Sequence, residues 1–398
     1  MRSYRIGSVF GIPIEVDFSL LLVLPVLGWV IGSQVTRWVS LLNQLPNGGG
    51  FAGTGLTTGV TPWLLGIAAA VGLFVGVLLH ELGHSVVAIH YGYEIESIKL
   101  WIFGGVAQFL EMPEQPRQEV AVSIAGPLVS VVLGVFSYIG FRIVSPVSPV
   151  LTFVFGYLTL MNISLTVFNL LPAFPMDGGR VLRAWLARNQ PFAEATRTAA
   201  RVGKVFAILL GLIGLLGFNL LLIGIAFFIY IGAEGEARQA EMKATFEGVT
   251  VGDLMTPVVD LQTVRPETPI SELVTRMLRE RHTGYPVVSN DGLVGIVTLD
   301  DLQHIPEAER DAYRVKDLMT SDLETIHIDD NPIDALQRMQ QTGIGRLPVV
   351  DDTGAMVGLI SRTDLMKAFT ISSVGSLLDD LRQPRLRSAE TSSTGFTR

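Results

Sequence analysis

The distribution of apolar and polar residues divides the chain into two unlike parts. Long apolar runs dominate from about Asp17 to Gly232, whereas charged residues return at the density of a soluble protein from Ala233 onward. A helix needs about 20 predominantly apolar residues to cross a bilayer. The pattern therefore predicts an α-helical polytopic membrane domain over residues 1–235, followed by a soluble region.

The apolar runs predict about six transmembrane helices by this length criterion. The first four predicted spans are residues 18–35, 63–91, 120–141 and 150–171. The run at 202–232 is too long for one upright helix and contains the breaking sequence Gly217-Phe218-Asn219, so we predict two short or tilted helices there. A short strand or interfacial segment is predicted at 7–18. The Gly104-Gly105 pair within the stretch 95–110 predicts a β-hairpin.

Positively charged residues predict the orientation of this domain. Most of those near the predicted spans fall on one side, namely Arg2, Arg5, Lys99, Arg117, Arg180, Arg183, Arg188, Arg197, Arg201 and Lys204. Arg37 and Arg142 fall on the other side. Lys and Arg favour the cytoplasmic side of a membrane, and six spans return the chain to the side on which it began. We therefore expect a multi-pass cell-membrane protein with both termini and the soluble region in the cytoplasm.

The soluble region contains an internal repeat. Three segments occur twice: residues 251–256 recur as 315–320, 285–288 as 347–350, and 295–301 as 358–364. Each unit has the order strand, helix, strand, turn, strand, helix, which predicts two α/β domains at 248–303 and 312–370. The segment 383–398 is polar and rich in Ser and Thr, and we predict a disordered tail there.

Composition limits the chemistry that the chain can perform. The 398 residues carry a net charge of −8 and contain no basic run, so we expect no nucleic-acid partner. No cysteine is present, which excludes disulfides, a cysteine nucleophile and thiolate metal ligands. A metal ion must therefore be held by His, Asp or Glu.

The second predicted span ends in the sequence His80-Glu81-Leu82-Gly83-His84. Residues four apart lie on one face of a helix, so both imidazoles can bind one zinc ion while Glu81 addresses a water on that ion. Ionisable groups inside a membrane are costly and usually functional. The alternative interpretation is a polar cap at the membrane interface.

A catalytic zinc ion needs a third protein ligand, and Asp177 follows the end of the fourth predicted span. Pro172 and Pro175 break the helix before it, and we expect Gly178-Gly179 to permit a tight return that turns the carboxylate towards the zinc. A surface aspartate in a plain turn is the alternative. The amide of Asn169 can donate to the oxyanion that forms when water attacks, or it can bond the carbonyls of the broken helix.

Together these residues resemble the site-2 protease family of intramembrane zinc metalloproteases. The resemblance rests on His80-Glu81-x-x-His84 paired with Asn169-x-x-Pro172-x-x-Pro175-x-Asp177-Gly178, and on the segments Gly104-Gly105-Val106-Ala107 and Ala125-Gly126-Pro127. It covers about residues 5–232. Met176 stands where the family more often has Leu, which is a conservative difference.

The resemblance implies one zinc ion per chain, bound by His80, His84 and Asp177, with Glu81 as the catalytic acid/base and Asn169 in contact with the reacting peptide. Substrates would be membrane-spanning regulatory proteins that are cut in or near the bilayer. A helix hides its peptide carbonyls, so the substrate must be locally extended. We hypothesise that the predicted hairpin holds it by strand addition.

The two repeats resemble cystathionine-β-synthase-type (CBS) domains, which pair into a Bateman module that often binds adenosine nucleotides. The Ser/Thr-x-x-Asp pattern occurs as Thr298-Leu299-Asp300-Asp301 and as Ser361-Arg362-Thr363-Asp364. The resemblance implies ATP, ADP or AMP as ligand, with the hydroxyl on phosphate and the carboxylate on ribose, and it allows a homodimer through the CBS domains. Ser, Thr and Asp at a helix start are also ordinary capping residues, so a dimerisation or docking module with empty clefts is the alternative.

The sequence thus favours a regulated intramembrane metalloprotease. Two hypotheses from other classes stand beside it: a CBS-regulated ion channel or transporter, and a catalytically inactive membrane sensor. The membrane half lacks the internal repeat symmetry that would favour a transporter, and the intact Glu81 argues against an inactive sensor.

Overall fold

The structure is a computed structural model of the chain. It describes residues 3–45, 55–102, 104–109, 113, 115–289, 292–303, 305–306 and 309–371. The chain divides into two compact units, residues 1–240 and 241–398. The predicted tail at 383–398 lies outside the described residues, as do residues 46–54.

A four-stranded sheet lies within the first unit. Its strands are β1 (Ser3–Val9), β2 (Ile12–Asp17), β3 (Ile95–Trp101) and β4 (Gly104–Phe109), in the order β1-β2-β3-β4. β2 and β3 run parallel, and the other pairs are antiparallel. The hairpin predicted at 95–110 is therefore confirmed. At 7–18, where we predicted one strand or an interfacial segment, the chain makes a tight turn at Phe10 and Gly11, both with positive φ, and forms two strands.

Eight helices of the first unit lie within the described residues. They are α1 (Phe18–Ser33), α2 (Val35–Leu42), α3 (Thr61–His90), α4 (Pro116–Val144), α5 (Pro149–Asn169), α6 (Asp177–Leu186), α7 (Phe192–Leu216) and α8 (Leu220–Thr245). Five of them, α3, α4, α5, α7 and α8, are long and apolar enough to cross a membrane. α1 and α2 are bent by 64° and make a sixth candidate span if they are taken together. The predicted polytopic helical fold is confirmed.

The run at 202–232 forms two helices that are longer than the short pair predicted. The break falls at the predicted place, between Leu216 and Leu220, but the helices have 25 and 26 residues. They extend past the apolar run into polar flanks, at 192–201 before it and at 233–245 after it. A helix can continue beyond the apolar core of a bilayer because its own backbone hydrogen bonds remain satisfied in either environment.

Small residues allow the membrane helices to approach one another closely. A Cβ on Gly66 of α3 would overlap the carbonyl oxygen of Gly28 on α1. A Cβ on Gly83 would lie 3.0 Å from the carbonyl oxygen of Ala125 on α4. Close contact between backbones at small residues is a common way to pack helices in lipid. It brings α3 and α4 together beside the His80-Glu81-x-x-His84 motif.

The second unit contains the two repeats. Its helices are α9 (Val251–Leu254), α10 (Ile270–Glu280), α11 (Leu299–Leu302) and α12 (Pro332–Thr342), with residues 362–371 also helical. Its strands are β5 (Thr256–Pro257), β6 (Gly284–Ser289), β7 (Gly292–Thr298), β8 (Ile326–His327), β9 (Arg346–Val350) and β10 (Met356–Ser361). β6 pairs with β7, and a second sheet has the order β5-β10-β9-β8.

The repeats exchange their leading segments. Thr256 pairs with Leu359 of the second repeat, and Thr320 bridges to Ile296 of the first. In the same way, the buried Val251 packs in the core of the second repeat, and the buried Val315 packs in that of the first. The leading segment of each repeat therefore completes the sheet or bridge and the core of the other repeat.

Candidate metal centre and nucleotide cleft

His80 and His84 lie on one face near the end of α3 and are almost completely buried, with 3% and 7% of their surface exposed. Their Nε2 atoms are 3.2 Å apart. The carboxylate of Asp177 faces both, because its Oδ2 lies 3.3 Å from each Nε2 atom. Three donor atoms thus converge from helices separated by almost a hundred residues of chain. These are the three side chains that the sequence predicted as ligands.

Hydrogen bonds from α4 orient both imidazoles. The Nδ1 of His84 lies 2.7 Å from the carbonyl oxygen of Val122, and the Nδ1 of His80 lies 2.9 Å from Oγ of Ser130. A carbonyl can only accept, so Nδ1 of His84 carries the proton and its Nε2 presents a lone pair in the neutral ring. Such partners fix the tautomer and direction of metal-binding histidines.

The spacing of the three donor atoms fits a zinc ion. With bonds of about 2.0–2.1 Å, the ligands of a tetrahedral zinc are separated by about 3.3–3.4 Å. The observed separations are 3.2, 3.3 and 3.3 Å. In addition, the lone pair on Nε2 of His84 faces the carboxylate of Asp177, and these two acceptors repel one another unless a cation lies between them. The donor set of His80, His84 and Asp177 therefore suits a divalent cation and leaves a fourth position for a water or a substrate.

Asp177 reaches this position as the first residue of α6. The expectation that Gly178-Gly179 would form a tight turn was wrong, because both residues belong to the helix. Their lack of side chains serves close packing instead. A Cβ on Gly178 would overlap the carbonyl of Leu171, and one on Gly179 would lie 2.6 Å from the backbone nitrogen of Phe174. The start of α6 therefore lies directly against the segment that follows α5.

Glu81 and Asn169 lie beside the donor triangle. The Oε2 of Glu81 accepts a hydrogen bond from the backbone N–H of Ala107 on β4, at 3.2 Å. A Cβ on Gly105 would lie 2.7 Å from Cγ of Glu81, so the strand can approach this side chain only because residue 105 is glycine. The Nδ2 of Asn169, the last residue of α5, lies 3.5 Å from Nε2 of His80.

Sequence reasoning did not find Ser130 or the Val122 carbonyl on α4, and it named Gly126 only as part of the family resemblance, without a role at the site. Ser130 and the Val122 carbonyl orient the rings, and Gly126 makes room for them, because a Cβ there would overlap Nε2 of His84 and lie 2.8 Å from Nε2 of His80. Val122 and Ser130 are buried. The available signal was the spacing of small residues at Ser123, Gly126 and Ser130, which places them on one helix face.

In the second unit, a cavity of 680 Å³ lies between the two repeats. Its lining includes three of the predicted nucleotide contacts, Thr298, Asp301 and Ser361, but not Asp364. Both aspartates act as capping residues. Oδ2 of Asp301 accepts from the N–H and hydroxyl of Thr298, each at 2.7 Å, and Oδ2 of Asp364 accepts from the N–H and hydroxyl of Ser361 at 3.1 and 2.6 Å. The other carboxylate oxygen of each aspartate, Oδ1, takes no part in these hydrogen bonds.

Arg346 was not predicted, yet it also lines this cavity. It is the cross-strand partner of Ser361, whereas Gly284 is the corresponding partner of Thr298. The guanidinium crosses to the first repeat, donates to Oγ1 of Thr283 at 2.9 Å, and occupies the space of a Cβ on Gly284. Burial lowers the pKa of Arg346, with Asp364 and Tyr285 opposing that shift. Arg346 thus places a positive charge beside the Thr283 hydroxyl of the first repeat, while its backbone pairs with Ser361 of the second.

Comparison with known proteins places the chain in a family. The model of peptidase family M50 matches residues 68–153 and 146–210, and the CBS domain model matches 251–306 and 315–371. A zinc metalloprotease of Methanocaldococcus jannaschii is 35% identical over 384 residues, which cover 95% of this chain and 99% of the relative. The chain belongs to peptidase family M50. It is a site-2-protease-like zinc metalloprotease with tandem CBS domains, and with five or six membrane-length helices among its described residues it is a multi-pass membrane protein.

Two further proteins are similar to parts of this M50 peptidase. Stage IV sporulation protein FB of Bacillus subtilis is 34% identical over 159 residues, covering 37% of this chain and 54% of that protein. The solved structure of a site-2 protease from Methanocaldococcus jannaschii is 36% identical, with a TM-score of 0.41, and covers 60% of this chain and 96% of that one. Membership of a peptidase family favours the protease over the channel and the inactive sensor.

Proposed function

We propose that the chain cleaves membrane-spanning segments of substrate proteins in or near the bilayer. The proposal assigns His80, His84 and Asp177 as ligands of one zinc ion. The observation that carries it is the triangle of donor atoms, with sides of 3.2–3.3 Å, between the membrane-length helix α3 and the first residue of the short helix α6. A metal ion held by these residues would supply its chemistry to peptide bonds that reach it within the membrane domain.

The roles of the neighbouring side chains follow from their positions. Bound zinc would polarise the scissile carbonyl and lower the pKa of a bound water towards about 7. Glu81 takes the proton from the attacking water and later gives it to the leaving amine, and the Ala107 N–H holds its carboxylate in place. The Asn169 amide, beside His80, donates a hydrogen bond to the oxygen that becomes negatively charged.

We further propose that the substrate binds in an extended form along β4. This strand lies at one end of the strand order β1-β2-β3-β4, so it has a single partner strand within that sheet. An edge strand can pair with an extended peptide. The Ala107 N–H reaches Glu81, so a peptide on this side of β4 would pass next to the catalytic carboxylate.

The proposal includes the topology and the regulation of the enzyme. The charge distribution supports cytoplasmic termini, and the domain limits are those predicted above, 1–235, 248–303 and 312–370. The 680 Å³ cavity, whose lining includes Thr298, Ser361 and Arg346, supports the binding of ATP, ADP or AMP, with the phosphates on Arg346 and the ribose on Asp301 or Asp364. A homodimer through the CBS domains is a further part of the proposal.

Co-expression with single-span substrates tests the catalytic assignment. Glu81→Gln keeps the size of the side chain and removes the base, so we expect cleavage to fall by about 10²–10⁴-fold. Zinc content, measured by atomic emission on the purified protein, stays near one ion per chain. Wild-type cleavage by this variant would exclude Glu81 as the acid/base, and loss of its zinc would assign it a ligand role instead.

A further inference from the structure

A buried arginine on α6 touches four different segments of the membrane unit. Arg183 is 4% exposed, and its Nε donates to Oε1 of Glu119 on α4 at 2.7 Å, while Nη2 contacts the same oxygen. Its Nη1 lies 3.3 Å from Oε2 of Glu236 on α8. The Cζ atom lies 4.6 Å from the ring centre of Phe192, at the start of α7, and 5.2 Å from that of Phe174.

These contacts link the two segments that meet at Asp177, namely the turn before it and the helix α6 that it begins. Phe174 belongs to the turn that leads into α6, three residues before Asp177, and Arg183 lies six residues after it. α6 has only ten residues, about 15 Å of helix, so fixing its middle limits the rotation of its first residue. No side-chain hydrogen bond caps the start of α6 at Met176. The orientation of Asp177 therefore depends on such packing contacts.

Stability alone does not explain the Glu119–Arg183 pair. Both residues are buried, and Oε2 of Glu119 has no hydrogen-bond partner among the described residues. Replacing a buried ion pair by apolar residues of similar volume is often neutral or stabilising. What a guanidinium adds is geometry, because its planar set of donors accepts one arrangement of its partners. The pair thus suits a function that needs one fixed position of α6.

We infer that Arg183, anchored by Glu119, is a positioning residue that holds the Asp177 carboxylate at the third corner of the donor triangle. The inference rests on the proposed zinc site. The corners lie 3.2–3.3 Å apart, close to the edge of a zinc tetrahedron, so a small rotation of α6 moves Oδ2 of Asp177 out of bonding distance. Arg183 itself touches neither the metal position nor the histidines.

Arg183→Lys tests the inference on the full-length protein in detergent. Lysine keeps the charge but loses the planar donors and the contact with both rings. We expect the zinc dissociation constant to rise about tenfold, as measured by competition with a chromogenic chelator. Loss of a group that orients a metal ligand typically weakens metal binding by about 10–100-fold, and this value is at the lower end of that range. At saturating zinc, kcat falls while KM stays the same, because the substrate strand β4 is untouched.

A second variant separates positioning from folding. Glu119→Leu with Arg183→Met removes both charges and fills the space, so the metal-free protein should unfold at the wild-type temperature and still bind zinc weakly. Lys204→Met, which breaks the Lys204–Glu234 ion pair between α7 and α8, is the matched control and should keep wild-type zinc affinity.

The outcomes distinguish this inference from the proposed function. A folded double variant with wild-type zinc affinity and kcat would overturn the positioning role of Arg183. Unchanged zinc affinity in Asp177→Asn would instead overturn the zinc site itself, and the inference with it. Weakened zinc binding in Lys204→Met, equal to that in Arg183→Lys, would assign the effect to general loosening of the helices and overturn the inference as well.

Discussion

His80 and Asp177 are 97 residues apart in the sequence, yet Nε2 of the histidine lies 3.3 Å from Oδ2 of the aspartate. The histidine is at the end of a membrane-length helix, and the aspartate is the first residue of a short helix. A second histidine, His84, completes a triangle with both. This relationship is the basis of the proposed metal centre, and it gives the first prediction.

Asp177→Asn should weaken zinc binding strongly. The amide is neutral and is a poorer metal ligand than the carboxylate, while the size of the side chain is kept. Loss of a group that only orients a metal ligand weakens metal binding by up to about 100-fold. Because Asp177 is itself a proposed ligand, we expect the zinc dissociation constant to rise by at least about 100-fold. Competition with a chelator measures it. The control is Asp260→Asn in the other unit, which should bind zinc as the wild type does.

Gly126→Ala should disrupt the same centre by steric contact. A Cβ at this position would overlap Nε2 of His84, so the ring must move away from the metal position. We expect zinc affinity and cleavage each to fall at least about tenfold. Gly134→Ala is the matched control on the same helix, because its Cβ would have only an ordinary contact, 3.6 Å from Cβ of Asn162. Equal effects of the two substitutions would contradict the prediction.

Asp301→Asn together with Asp364→Asn should weaken binding of an adenosine nucleotide to the CBS domains. The amide presents only one acceptor oxygen for the ribose hydroxyls, and each lost hydrogen bond to a charged acceptor costs about 1.5–3 kcal/mol. A rise of about tenfold or more in the dissociation constant for AMP or ATP is expected by isothermal titration calorimetry.

A control pair with similar local hydrogen bonds is available for this prediction. Asp253 accepts from the N–H and hydroxyl of Thr250, and Asp317 accepts from the N–H of Arg314. Neither aspartate lines the cavity or bonds a residue that lines it, whereas Asp364 bonds Ser361, which does. Asp253→Asn with Asp317→Asn should therefore leave the nucleotide affinity unchanged. Unchanged titrations for the Asp301 and Asp364 pair would exclude the ribose contacts, even if the cavity binds a nucleotide in another way.

A bound substrate should protect β4 from hydrogen exchange. The Glu81→Gln variant binds a single-span substrate without cutting it, so the complex can be compared with the free enzyme by hydrogen–deuterium exchange and mass spectrometry. Peptides that cover Gly104–Phe109 should exchange more slowly in the complex, while those from β1, at the opposite end of the strand order, should not change. Protection elsewhere with none at β4 would contradict strand addition.

Much of the fold could be predicted because its signals are local. Apolar runs located the spans, Gly104-Gly105 located the hairpin, and the break at 217–219 separated α7 from α8. The predicted lengths of these two helices were too short. Hydropathy indicates which residues contact lipid, but it does not indicate where the hydrogen-bonded helix ends. The prediction at Gly178-Gly179 failed for a related reason, since glycine serves both turns and close packing, and the sequence does not distinguish them.

The sequence by itself determined that His80 and His84 share a helix face, because a spacing of four residues is a property of the helix. It also determined the two repeats and the division between membrane and soluble parts. Only the tertiary structure decided which oxygen completes the triangle, which groups on α4 orient the rings, and that each repeat completes the core of the other. These features are distances between segments far apart in the chain, and helix and sheet packing sets such distances, whereas local periodicity does not.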